Sequence, residues 1–148
     1  MKLQSIKDKH VINFKNQKYK LKKYDNKKLS DEANLFSEWY APRKLNLLKI
    51  KKFEKKYKKE IKNLLLKLKF KNDTFVHKDF HVSNLIYFKN NIAVIDSQDA
   101  EIGNKAYDLA SLVDDVRLKT SNKLKNKVLG YYLKKFNKDK TKKFINDF

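Results

Sequence analysis

The stretch from residue 74 to residue 96 alternates short β-rich runs with polar residues, and it constrains the fold more than any other part of the chain. The runs span residues 74–76, 85–88 and 92–95, and Lys89-Asn90-Asn91 is a predicted turn. In an antiparallel hairpin, the start of one strand lies beside the end of the next. We therefore expect Asn84 and Asp96 to lie close together at the open end of a hairpin.

The loop between the first two predicted strands has the spacing H-x-D-x-x-x-x-N, formed by His77, Asp79 and Asn84. In phosphoryl-transfer enzymes with this spacing, the aspartate accepts the proton of the attacking hydroxyl and the asparagine holds Mg²⁺. Mg²⁺ prefers one or two carboxylates together with phosphate oxygens and water. The pattern predicts Asp79 as the catalytic base and Asn84 and Asp96 as metal ligands. The alternative is that all three are ordinary polar residues of turns and strand ends.

Helical patterns surround this loop. Apolar residues recur at three- and four-residue steps over residues 47–70 and predict a long helix with a lysine-rich opposite face. Ser30 is a predicted cap for a helix that ends near residue 40. Further helices are predicted over residues 106–118, with Val116 facing inward, and over residues 121–136. The residues that end the chain, Phe144, Ile145 and Phe148, are expected to need an apolar partner from outside it. Weaker β-like runs cover residues 12–14 and 19–21.

The length predicts one domain over residues 1–148. The predicted strands and helices place it in the α+β class, mostly helical. There is no run of 18 apolar residues and no signal-peptide pattern, so we expect no membrane partner and a cytoplasmic location. The chain has no cysteine, which excludes disulfides and thiolate chemistry.

The formal net charge of +20 raises the question of nucleic-acid binding. Of the basic residues, only Arg43 and Arg117 are arginines, whereas readers of nucleic acid usually recruit arginine for bidentate contacts. We interpret the lysines as a solvated surface and expect no specific nucleic-acid partner. A kinase-derived fragment without catalysis, or a basic module that binds nucleic acid, is the alternative function.

Two longer motifs extend the pattern. One is D-x-Q-D-A from Asp96, followed by Gly103 and by the run AYDLASLVDDVR over residues 106–117. The other is E-x-x-L-F-x-x-W-Y-x-P from Glu32 to Pro42. Together they resemble the aminoglycoside phosphotransferase and choline kinase-like superfamily over about residues 20–117. Within it, the chain is most similar to bacterial N-acetylmuramate/N-acetylglucosamine kinases of cell-wall recycling. That subgroup usually has an aromatic residue where Ser97 stands.

The resemblance implies the C-terminal lobe of a protein kinase-like fold, in which a small β-hairpin carries the catalytic and metal residues. It implies ATP and Mg²⁺ as cofactors and an amino sugar as the acceptor. Asp79 resembles the catalytic base, and Asn84 and Asp96 resemble the Mg²⁺ ligands. The loop-bracing residues would be His77 and Asp108, with Asp108 bonding the loop from the next helix. Candidate substrate contacts, or residues that support them, are Asp99, Glu32, Trp39 and Tyr40.

The chain has only two glycines, Gly103 and Gly130, so it has no glycine-rich phosphate loop. Members of the resembling family have an N-terminal lobe that clamps the nucleotide and further C-terminal helices. We therefore expect residues 1–148 to form a partial domain that lacks both. The clamping lobe would be supplied in cis or by a separate chain.

Overall fold

The computed structural model describes residues 3–12 and 15–148. Within these residues it forms six short strands and five α-helices. The strands are β1 (His10–Ile12), β2 (Lys18–Lys20), β3 (Thr74–Val76), β4 (Leu85–Phe88), β5 (Asn91–Val94) and β6 (Glu101–Gly103). The helices are α1 (Asn26–Leu35), α2 (Leu47–Leu66), α3 (Tyr107–Val113), α4 (Asn122–Leu133) and α5 (Lys138–Asp147). The predicted α+β class is confirmed. Residues 13 and 14 of the first weak β-like run lie outside the described residues.

The chain divides into two compact units. The first contains the described part of residues 1–23 together with Lys69–Phe148, and the second is Tyr24–Leu68. In the part of the chain that the structure describes, no helix is both long enough and apolar enough to cross a membrane.

The first unit contains three antiparallel strand pairs, β1 with β2, β3 with β6, and β4 with β5. The pairing of β3 with β6 was not predicted, and it sets Phe75 opposite Ile102. Both side chains are buried in a small core with Leu21 and Ala100. This core fixes the strand that leads into the loop at His77.

Strands β4 and β5 form the hairpin that follows that loop, with Leu85 opposite Val94. Strand β5 begins one residue earlier than the predicted strand. The turn residues Lys89 and Asn90 have φ values of 46° and 59°. Two consecutive left-handed residues match the twist of the flanking strands, which is why such turns close tight hairpins.

Helices α3, α4 and α5 bury a second core, and Phe144 lies at its centre. Phe144 is fully buried, and its ring packs against four other rings of the same chain. Its apolar partners are Phe70, Tyr132, Phe136 and Phe148. The expectation that Phe144 needs a partner from outside the chain was wrong, because α5 folds back onto α4.

Helix α3 is shorter than predicted, ending at Val113. Val116 is 95% exposed, so its predicted inward position was wrong. The backbone leaves the helix at Asp114, and the Asp115 side chain then accepts the N–H of Arg117 in a separate local turn. Helical periodicity therefore does not continue to Val116.

In the second unit, α1 begins earlier than predicted. Asp25 caps it by accepting the N–H groups of Lys27 and Lys28, so Ser30 lies inside the helix. The next turn, Phe36–Tyr40, is π-helical, and Pro42 follows in a 3₁₀ turn. Helix α2 begins at the Asn46 cap and ends four residues before the predicted end.

Asp147 at the end of α5 fastens that helix to the rest of the first unit. Its carboxylate accepts the N–H groups of Lys69 (2.6 Å) and Phe70 (2.8 Å), and the side-chain amide of Asn104 (2.7 Å). Burial raises the pKa of Asp147, but the hydrogen bonds from Phe70, Asn104 and Lys69 outweigh it and leave the pKa below its ordinary value.

Replacing Asp147 with Asn is expected to lower the free energy of unfolding at pH 7 by about 1–2 kcal/mol, because the amide NH₂ cannot accept a hydrogen bond. The carboxylate's folded pKa is lowered, so its contribution is present above an unfolded pKa of about 3.9 and is lost as pH falls through the folded pKa. Urea unfolding at pH 7 and at pH 3 measures the difference in free energy of unfolding between the parent and Asp147→Asn. The difference between the two proteins should shrink at pH 3, and an equal difference at both pH values would contradict the assignment. Asp139→Asn, on the surface of the same helix, is the matched control.

Candidate active site

The start of the candidate catalytic loop is held by Asp108 in the first turn of α3. This carboxylate is fully buried and accepts the backbone N–H of His77 at 2.9 and 3.1 Å and that of Lys78 at 3.2 Å. Burial raises the pKa of Asp108, while the hydrogen bonds from His77 and Lys78 act in the opposite direction. The carboxylate thus fixes the backbone immediately before Asp79.

His77 joins this loop to the hairpin. Its ring is fully buried, and Nε2 lies 2.9 Å from the carbonyl oxygen of Ile95. Because a carbonyl oxygen only accepts hydrogen bonds, Nε2 carries the proton in this contact. The ring also packs edge-on against Phe80. His77 therefore ties the loop to the residue that precedes Asp96.

Asp79 is held through its backbone. Its carbonyl oxygen accepts the N–H of His81 (3.0 Å) and the side-chain amide of Asn84 (2.9 Å). The described residues make no hydrogen bond or ion pair with the Asp79 carboxylate. The loop therefore fixes the main chain of Asp79 and leaves the carboxylate available for another molecule.

Asn84 and Asp96 flank the open end of the β4–β5 hairpin. The Ile95 N–H donates to the Asn84 carbonyl at 3.1 Å, which aligns the two segments. Asn84 is buried, and its contacts with Asp79 and His81 are made by Nδ2, not by Oδ1. Asp96 is exposed and has a left-handed φ of 66°, a conformation that aspartate tolerates better than most residues.

This donor set of one amide oxygen and one carboxylate fits Mg²⁺, which takes few protein ligands and completes its shell with phosphate oxygens and water. Within residues 3–12 and 15–148, no cluster of three or more His, Cys, Asp or Glu residues forms a denser metal site. The residues present are thus suited to a metal that arrives with a phosphorylated ligand.

Asp115 is a residue of this region that the sequence reasoning did not single out. Its side chain is only 1% exposed, and its Oδ1 accepts the backbone N–H (3.0 Å) and Nη1 (3.1 Å) of Arg117. The Arg117 N–H is the main cause that lowers the pKa of Asp115, and the Val82 N–H adds to it. Val82 begins the turn that carries Asn84, so Asp115 lies near the far end of the loop. Asp115 and Arg117 both lie in the run over residues 106–117, but nothing in the sequence showed that they contact each other.

A cleft of about 250 Å³ opens beside Lys78, and Asp99 lines it. The ε-ammonium of Lys78 lies 3.7 Å from a carboxylate oxygen of Glu101 on β6. The other lining residues are Tyr19, Lys20, Leu21, Lys22, Gln98 and Ala100.

The three remaining predicted residues belong to the second compact unit. Glu32 accepts a hydrogen bond from the hydroxyl of Tyr24. Trp39 is 68% exposed, and Tyr40 stacks on Phe36 with ring centroids 5.2 Å apart. Thus His77, Asp79, Asn84, Asp96 and Asp108 form one connected region, whereas Glu32, Trp39 and Tyr40 are placed on another unit.

Residues 20–144 match the model of the phosphotransferase enzyme family, and the chain belongs to that family. It is similar to the N-acetylmuramate/N-acetylglucosamine kinase of Neisseria meningitidis serogroup B, with 35% identity over 95 residues. The enzyme of the same name from Pseudomonas putida is 32% identical over 95 residues. Each match covers 64% of this chain and 28% of the relative. The predicted family and the kinase-type class of enzyme are confirmed, and the chain spans less than a third of the length of these relatives.

If Asp96 is a metal ligand as predicted, replacing it with Asn is expected to abolish metal-dependent nucleotide binding, because the change removes the negative charge of the predicted ligand pair. The fold should stay intact, because Asp96 is exposed. Titration of Mn²⁺ with a nucleotide, followed by paramagnetic broadening of NMR signals, tests this prediction. Signals of residues at the open end of the hairpin should broaden in the parent and stay sharp in Asp96→Asn. Asp139→Asn should behave like the parent. Equal broadening in Asp96→Asn and the parent would contradict the role.

Proposed function

We propose that this chain carries the catalytic centre of an ATP-dependent kinase that phosphorylates a hydroxyl of an amino sugar. The observation that carries the proposal is the arrangement of Asp79. Two hydrogen bonds fix its carbonyl oxygen, while its carboxylate makes none with the described residues. A carboxylate held in this way is suited to orient an incoming hydroxyl and to accept its proton.

The roles of the surrounding residues follow from their contacts. Asp108 and His77 hold the loop backbone, so Asp79 is positioned before the acceptor arrives. Asn84 and Asp96 would hold Mg²⁺ through their oxygen atoms. When bound, Mg²⁺ neutralises charge on the phosphate oxygens as the phosphoryl group transfers. Protein positioning and electrostatics thus perform most of the catalysis, since phosphoryl transfer needs little covalent work from the protein.

The class of acceptor is proposed from the relatives, whose names specify N-acetylmuramate and N-acetylglucosamine. The acceptor group would be the anomeric hydroxyl, giving a sugar 1-phosphate as in cell-wall recycling. Asp99, Glu32, Trp39 and Tyr40 remain candidate acceptor contacts or supports for them. Exposed aromatic faces such as Trp39 are suited to the apolar faces of sugar rings. ATP as the donor favours a cytoplasmic location.

The nucleotide's phosphates need a further binding element. The chain has two glycines, and neither lies in a phosphate-binding loop pattern. We propose that a nucleotide-clamping lobe acts together with residues 1–148, in cis or as a separate chain. The 28% coverage of the relatives leaves ample length for such a lobe.

A transfer assay tests the proposed function. The 148-residue chain is incubated with Mg²⁺, γ-labelled ATP and either sugar, alone and with the portion of the Neisseria relative that precedes its matched region. Little labelled product is expected from the chain alone, and a large rise with the added portion. Efficient turnover by the chain alone would show that it builds the nucleotide site itself. Absence of product in every combination, with the added portion binding ATP, would contradict the proposal.

A further inference from the structure

Lys78 occupies a backbone conformation that a lysine does not favour. Its φ is 72°, in the left-handed region that glycine adopts freely and other residues adopt at a cost in free energy. A glycine would satisfy this backbone without strain. The presence of a long side chain here indicates that its own interactions matter, since strained residues tend to persist where they serve a function.

The side chain of Lys78 makes an ion pair with Glu101. The two charged groups lie 3.7 Å apart, and the side chains of Lys78 and Glu101 are only 21% and 11% exposed. Glu101 lies on β6 directly opposite Val76, the last residue of β3. The ion pair therefore links the loop that follows β3 to β6, the strand that pairs with β3. Removing one partner of such a shielded pair leaves the other charge poorly compensated.

The backbone is held by hydrogen bonds on both sides of Lys78. Upstream, Asp108 holds the N–H groups of His77 and Lys78. Downstream, the carbonyl oxygen of Asp79 is held by two hydrogen bonds. The torsions between these points, beginning with φ of Lys78, decide where the Asp79 side chain projects.

We propose that Lys78 is a positioning residue, whose ion pair with Glu101 holds the left-handed turn that aims the Asp79 carboxylate at the acceptor hydroxyl. This inference rests on the proposed function, in which Asp79 is the base. A misplacement of a catalytic group by about 1 Å costs on the order of 100-fold in rate. Loss of the pair is therefore expected to lower kcat and to leave the KM for ATP and sugar unchanged.

The test compares Lys78→Gly, Lys78→Arg and Glu101→Gln with the parent. Transfer is measured with the added portion of the Neisseria relative present. Lys78→Gly removes the charge, which destabilises the fold, and relieves the backbone, which stabilises it. The thermal midpoint of each variant is therefore measured, and kcat is compared at a temperature at which all of them are folded. The kcat of Lys78→Gly should fall by about 10- to 100-fold, as should that of Glu101→Gln. Lys78→Arg, which keeps the charge, should restore most of the activity. This combination separates positioning from stability.

A matched control is available in Lys89, another lysine with a left-handed φ, at 46°, in the turn between β4 and β5. Lys89→Gly should leave kcat unchanged. In the 148-residue chain alone, the amide NMR signals of Asp79 and Phe80 should shift in Lys78→Gly and hold their positions in Lys78→Arg and Lys89→Gly. These spectra report the loop conformation without any need for turnover.

Parental kcat in Lys78→Gly, or unchanged Asp79 and Phe80 signals in that variant, would overturn the inference. A raised KM with an unchanged kcat would also overturn it and assign Lys78 to anion binding in the neighbouring cleft. Asp79→Asn is measured in parallel. Full activity in Asp79→Asn would reject the proposed function itself, whereas loss of activity in Asp79→Asn with full activity in Lys78→Gly would reject only the positioning role.

Discussion

Replacing Asp79 with Asn is expected to reduce phosphoryl transfer by about 10²- to 10⁴-fold, the range that a positioned general base contributes. Asn has nearly the same shape, and the backbone carbonyl of residue 79 would still accept its two hydrogen bonds. The change therefore removes the proton acceptor with little disturbance of the loop. The ratio of the two transfer rates is measured with labelled ATP and the sugar. The nucleotide-clamping portion is present in both assays.

Two controls accompany the comparison of Asp79→Asn with the parent. Asp139→Asn neutralises an exposed carboxylate on α5, which pairs with Lys143 on the surface, and should keep parental activity. Urea unfolding of Asp79→Asn should match the parent. Activity within a few-fold of the parent in Asp79→Asn would contradict the assigned role, whichever sugar is used.

Replacing Phe144 with Ala is expected to lower the free energy of unfolding by about 3–5 kcal/mol, the usual cost of truncating a buried phenylalanine to alanine. The Phe144 ring is fully buried, and its centroid lies 4.8 Å from that of Tyr132 and 5.6 Å from that of Phe136. Truncation leaves a cavity between α4 and α5. Because native domains are stable by about 5–15 kcal/mol, this single change threatens the fold.

The neighbouring Ile145 provides the control, since its side chain is 54% exposed on the same helix. Ile145→Ala should change the free energy of unfolding by no more than about 0.5 kcal/mol, as is typical of surface positions. Equilibrium urea unfolding of the three proteins measures both differences. A loss below about 1 kcal/mol in Phe144→Ala would indicate that α5 does not pack on α4 as described.

The loop shows how few residues position the candidate base. Asp108 holds the N–H groups of the two residues before Asp79. His77 ties the loop to the hairpin, and Asn84 donates to the Asp79 carbonyl oxygen. All three were predicted as site residues from the sequence. The motif spacing includes His77 and Asn84, and Asp108 followed from the family resemblance. Asp115 was not predicted, because its contact with Arg117 depends on the local turn that follows α3.

The periodic parts of the sequence predicted their own local structure. Residues 74–76 and 85–88 form strands at the predicted bounds, and α2 begins at the predicted residue. The predicted helix boundaries were wrong where a side chain made a hydrogen bond to a backbone N–H group. Asp25 started α1 earlier than Ser30 suggested, and the local turn at Asp115 ended α3 early. Capping and turn contacts of this kind depend on one or two hydrogen bonds, which periodicity does not register.

The family, the spacing of the candidate catalytic residues and the main helices could all be predicted before folding was considered, since each depends on residues close together in the chain. Tertiary structure decided the pairing of β3 with β6, the burial of Phe144 and the ion pair between Lys78 and Glu101. Each of these joins residues separated along the chain. Their partners are selected by shape, burial and charge in the folded state, so no local pattern specifies them.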